Sequence, residues 1–171
     1  MKKSQTGFTL VELVVVILIL GILSATALPR FMNVSAEANT AAVAGAAGGL
    51  GAGVALAHAQ WVVNNQTGAQ ADVSGFGDGT VAVNVSGWPS DGSSASGAGN
   101  NTAAIATGNT TVCTDIWNGV MQNPPSTGTV GTEDYTTSIT VIDLCRYTYR
   151  ANTAKFIEYN AQNGGVALVN P

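Results

Sequence analysis

Glu12 is the one charged side chain in the 21 residues from Phe8 to Leu28, within the stretch Gly7-Phe8-Thr9-Leu10-Val11-Glu12-Leu13. An ionised carboxylate near a bilayer centre costs about 2.5–3.5 kcal/mol on insertion scales, and less near an end. Its presence in such a run points to a functional role with a specific partner. Elsewhere, residues able to do chemistry are sparse. His58 is the sole histidine, and no second His or Cys lies at i+3 or i+4, so packing is expected rather than metal ligation. One histidine in an Ala/Gly segment supplies no Ser-His-Asp set, and catalysis is not expected. Asp72, Asp78 and Asp91 sit in a Gly-rich stretch, but their spacing is not that of an EF-hand loop. Neither a metal nor a cofactor is called for. Cys113 and Cys145 are an even pair. After an export signal they favour a disulfide, with two buried thiols as the alternative. Trp61, Trp88 and Trp117 suit packing, and Trp88, beside Pro89, could also stack on a sugar at the surface.

The elements that position these residues follow from pattern. Met1-Lys2-Lys3 before an apolar run is the start of a secretory signal, and Ala25-Thr26-Ala27 offers an ordinary peptidase site. The run is also long enough to stay as an anchor, because 21 helical residues reach about 31 Å against a bilayer core of about 30 Å. Lys2 and Lys3 would then remain cytoplasmic and the acidic body outside. Gly21 and Pro29 are weak points, and helix formers resume after Pro29, giving a kinked helix to about Val63. Between residues 45 and 53 there are five glycines, and Gly45, Gly49 and Gly53 fall at i, i+4 and i+8. They form a smooth stripe that admits close approach of the head's own sheet or a neighbouring helix, or else mark a flexible break.

Residues 64–111 read as loop, with a short alternating piece at 81–85. Strand composition returns at 137–142, 144–149, 155–159 and 166–169, with Asn163-Gly164-Gly165 as a hairpin signal. The expected class is α+β, a long helix on an antiparallel sheet. Only 9% of the 171 residues are charged. Without Lys2 and Lys3, four basic side chains remain against ten acidic ones. An acidic body with scattered cations has no phosphate-binding patch, so nucleic acid is not an expected partner.

The segment KKSQTGFTLVELVVVILILGILSATALPRF resembles the N-terminus of class a type IV pilins, and Pro29-Arg30-Phe31-Met32-Asn33-Val34 resembles mannose-sensitive haemagglutinin (MSHA) pilins. The resemblance implies a type IV pilin fold. Residues 1–7 are the leader, 8–28 a transmembrane and filament-core helix, 29–63 its second half and 64–171 a globular head with a disulfide-bounded C-terminal region. It implies that a prepilin peptidase cuts between Gly7 and Phe8 and methylates the new Phe8 amine. It further implies that the helix between Gly21 and Pro29 unwinds on assembly. The partners would be the inner membrane, the assembly platform with its ATPase, and further copies in a helical homopolymer. Glu12 would neutralise the Phe8 ammonium of a neighbour, four residues away along the axis. The function implied is an extracellular pilus for adhesion and biofilm formation. A minor pilin or a type II secretion pseudopilin shares this N-terminus. A secreted soluble protein cut after Ala27 is the remaining competitor.

Overall fold

The computed structural model describes residues 7–91, 105 and 109–170. Lys2, Lys3 and most of the leader lie outside the described residues. The chain divides into two compact units, Met1–Ala38 and Asn39–Pro171. One helix, α1 (Leu10–Val63), enters both.

In the first unit, α1 is apolar all round from Leu13 to Leu23, and the large side chains are exposed from Leu10 and Val11 through Leu28 to Phe31. Such a helix needs lipid or other helices around it. The helix is long and apolar enough to cross a membrane. Helical structure runs through Gly21 and Pro29 without interruption.

In the second unit, α1 turns amphipathic. Val43, Ala46, Leu50, Val54 and Ala57 recur every three or four residues and are buried. They share a core with Cys113, Ile116 and Trp117 of α2 (Thr110–Val120) and with alternate residues of the strands. Five strands form the main sheet: β3 (Thr127–Gly128), β4 (Tyr135–Val141), β5 (Leu144–Tyr149), β6 (Phe156–Asn160) and β7 (Gly165–Val169), side by side in that order. Tyr135, Cys145, Tyr147, Ile157 and Tyr159 point into the core at the two-residue period of a half-buried sheet. A small antiparallel pair, β1 (Ala82–Val83) and β2 (Pro89–Asp91), forms a separate sheet, tied to β6 by the Tyr159 hydroxyl, which donates to the Pro89 carbonyl at 2.6 Å.

The sheet departs from the expected antiparallel pattern at one edge, where β3 runs parallel to β4. A parallel pair ordinarily needs a long crossover. Here a short loop suffices because its ends are clasped. The Ser126 hydroxyl donates to Asp134 Oδ2 at 2.7 Å, and the Asp134 amide donates back to that hydroxyl at 2.9 Å. The β6–β7 hairpin does turn through Asn163 and Gly164, with Gly164 at φ 69. Helix α2 occupies a stretch in which no helix was expected.

Candidate functional site

The N-terminal end of α1 is built around Thr9 and Glu12. A helix leaves its first amide donors without intrahelical acceptors. Glu12 Oε2 accepts from the Thr9 amide at 2.9 Å and from the Thr9 hydroxyl at 2.8 Å. The Glu12 amide donates to Thr9 Oγ1 at 3.3 Å. This is a reciprocal capping box, Thr-x-x-Glu, which the sequence carries in plain view. Sequence reasoning read Glu12 only as a charge and missed this second role. Both carboxylate bonds use Oε2, so among the described residues Oε1 stays available. Gly7 and Phe8 precede the helix; Phe8 is 85% exposed, and nothing lies within 4 Å of where a Gly7 side chain would begin.

Further along, the Ser24 hydroxyl donates to the Leu20 carbonyl at 2.7 Å and Thr26 to the Leu23 carbonyl at 3.0 Å. Pro29 has no amide hydrogen to offer the carbonyl of Ala25. Within the segment from Gly21 to Pro29, the ladder therefore lacks the one bond that a residue-29 amide would have made.

In the head, Cys113 on α2 and Cys145 on β5 form a disulfide, Cα–Cα 5.6 Å. The Tyr147 hydroxyl donates to the Cys113 carbonyl at 2.8 Å, a second tie between the same two elements. Burial raises the phenols of Tyr147 and Tyr159 well above their ordinary range and pushes Tyr135 up to about 12. The Ser126 hydroxyl holds the Asp134 carboxyl below its usual range.

The glycine stripe is used unevenly. A Cβ on Gly53 would overlap the Val120 carbonyl, and one on Gly49 would sit 3.4 Å from Met121 Sδ, while Gly45 faces open space. The close approach is therefore to the end of α2 rather than to the sheet. His58 is a packing residue. Its ring stacks 3.8 Å from Trp88 and 5.7 Å from Trp61, and Nδ1 donates to the Gly87 carbonyl at 3.1 Å. Trp88 is half-buried against His58 and Gly164, and Trp117 is fully buried with its indole on the Pro125 carbonyl. Among the described residues, Asp72 and Asp78 belong to no metal-holding cluster; Asp78 instead accepts from Thr80 at 2.6 Å. The Asp91 side chain lies outside what the structure describes.

Residues 2–28 match the family model of the prokaryotic N-terminal methylation motif. The chain is 46% identical over 54 residues to a type IV narrow pilus major component of Thermus thermophilus, covering 32% of this chain and 47% of that one. It is 41% identical over 68 residues to a fimbrial protein of Neisseria meningitidis, covering 38% and 40%. A type IV major fimbrial protein of Dichelobacter nodosus is 46% identical over 43 residues, covering 25% and 28%. The chain thus spans less than half the length of each of these relatives. No solved structure matches it. With a prepilin methylation motif at its start and an α+β head behind a long apolar helix, the chain is similar to the type IV pilins, which are structural proteins and not enzymes.

Proposed function

We propose that the chain is a prepilin whose mature form is the structural subunit of an MSHA-like type IV pilus serving adhesion and biofilm formation. Prepilin peptidase cuts between Gly7 and Phe8 and methylates the Phe8 amine. Residues 8–28 anchor the subunit in the inner membrane and then line the filament core. Residues 29–63 carry the second half of the helix, and 64–171 form the head displayed outside the cell. Assembly platform and ATPase add each copy to the growing fibre.

One observation carries this reading: Glu12, in an exposed apolar helix, caps its own chain through Oε2 alone. Oε1 is left to accept the ammonium of Phe8 from a neighbouring copy. In a core packed with Val, Leu and Ile, such a pair attracts strongly, and breaking a buried pair costs about 3–5 kcal/mol. Gly21 and Pro29 bound the segment that yields on assembly, where the Ser24 and Thr26 hydroxyls already serve backbone carbonyls. The disulfide on a head of this kind, and relatives that are major pilus components, support the major pilin over the pseudopilin.

The test is the mass of the mature N-terminal peptide from sheared surface filaments of the native cell. A peptide beginning at methylated Phe8 is expected. One beginning at Leu28 overturns the proposal in favour of an ordinary signal peptide.

A further inference from the structure

Between Glu12 and Asp72 the chain carries only two formal charges, Arg30 and Glu37. Both lie on α1 in the first unit, and both are exposed. Neither takes part in an ion pair or hydrogen bond among the described residues, where the one salt bridge is Arg146 with Glu158. Their placement on the helix is not random. At 3.6 residues per turn, the 18 residues from Glu12 to Arg30 make five whole turns, and the seven from Arg30 to Glu37 fall about 20° short of two turns. All three charges therefore share one stripe on an otherwise uncharged helix.

We propose that this stripe is an interface with a second copy of the chain, in which Arg30 of one copy pairs with Glu37 of the next. The inference rests on the filament reading and adds to it a second charge pair that sets the stagger between neighbours. Two parallel copies in register place like charges side by side, Glu12 on Glu12 and Arg30 on Arg30. That arrangement repels, and a staggered one is complementary. The Phe8 amine reaches a neighbour's Glu12 when copies are displaced by four residues, about 6 Å along the helix. Arg30 reaches a neighbour's Glu37 at seven residues, about 10.5 Å in the same direction. The cation precedes the anion in both pairs, so one displacement between these values serves both, with the long arginine and glutamate side chains taking up the difference. Each pair lies wholly on one side of the segment from Gly21 to Pro29. Unwinding of that segment leaves both spacings intact.

The test uses the full chain in filament-forming cells. Arg30→Glu and Glu37→Arg alone should each lower the yield of sheared filaments about tenfold, with cleavage before Phe8 unchanged. The double variant R30E/E37R should restore it. Co-expression of the two single variants should also restore filaments that contain both chains, because each supplies the charge its neighbour lacks. An ion pair within one helix cannot be rescued in this way. Wild-type yield from both single variants, or no recovery in the double variant and the mixture, overturns the pairing alone. Failure of the unaltered chain to form filaments overturns the filament reading and the pairing with it.

Discussion

Gly53 of α1 faces the main-chain carbonyl of Val120 with no room for a methyl group between them. The close approach of α1 to the end of α2 depends on that missing side chain. Gly53→Ala should lower the stability of the mature protein by about 1–3 kcal/mol, as overpacking of a fixed backbone does. Gly45→Ala, on the same stripe but facing open space, should be neutral or gain up to about 1 kcal/mol from helix propensity. Thermal unfolding of both variants in detergent checks the contrast. Equal effects would mean that the stripe does not pack as described.

The Cys113–Cys145 bridge closes a loop of 32 residues. On the chain-entropy model this contributes about 3–4 kcal/mol. Reduction, or Cys113→Ser with Cys145→Ser, should lower the unfolding midpoint of the head accordingly. The Tyr147 hydroxyl on the Cys113 carbonyl is the second tie between these elements, and Tyr147→Phe should cost about 1 kcal/mol more. Urea titration with and without reductant measures both.

Stability should fall in alkali. Burial raises the phenols of Tyr135, Tyr147 and Tyr159 in the folded chain, so above pH ~10 the unfolded chain has lost protons that the folded chain still holds. Unfolding is then favoured by each rise in pH. The contribution is complete below pH ~10, and for Tyr135 it is lost as pH climbs to about 12. Urea midpoints should be flat from pH 8 to 9.5 and decline beyond. A midpoint that rises with pH in that range would contradict the buried phenols.

Processing and assembly should separate at the N-terminus. Gly7→Val should block cleavage, leaving full-length precursor on an immunoblot. Glu12→Ala should be cleaved normally yet assemble poorly. It removes the acceptor for a neighbour's amine and the carboxylate half of the capping box, while the Thr9 hydroxyl still accepts from the residue-12 amide. Glu12→Gln keeps an acceptor for the cap without the charge. If filament loss follows the charge, the two variants fail alike; if it follows the cap, the glutamine variant recovers.

The elements with a clean period were legible in the sequence. Strands β4 to β7 declare themselves by strand composition and by turn residues such as Asn163-Gly164, and α1 by its apolar run and the helix formers that resume after Pro29. Helix α2 was hidden because Thr110, Thr111, Val112 and Thr114 favour strands and Gly119 weakens a helix. The signal that could have found it is the spacing of Val112, Ile116 and Val120, with Cys113 and Trp117 on the same face. The parallel strand β3 could not be read, since two residues carry no period and their pairing depends on the Ser126–Asp134 clasp. At the N-terminus, Glu12 was legible as a charge out of place. Its bond to Thr9 was spelled by the same four residues.

In the main sheet, spatial order follows chain order from β3 to β7. Every strand therefore meets its partner across a short connection, and each pairing closes a small loop at little entropic expense. A head of this contact order forms its sheet quickly and locally. Distant in sequence, by contrast, are the docking of residues 43–57 of α1 against that sheet and α2, the Tyr159 hydroxyl on the Pro89 carbonyl and the Asn84 side chain on the Ala161 carbonyl. Both partners in that docking belong to one chain. On the filament proposal, the head therefore matures from contacts within its own chain, one copy at a time, without first meeting another.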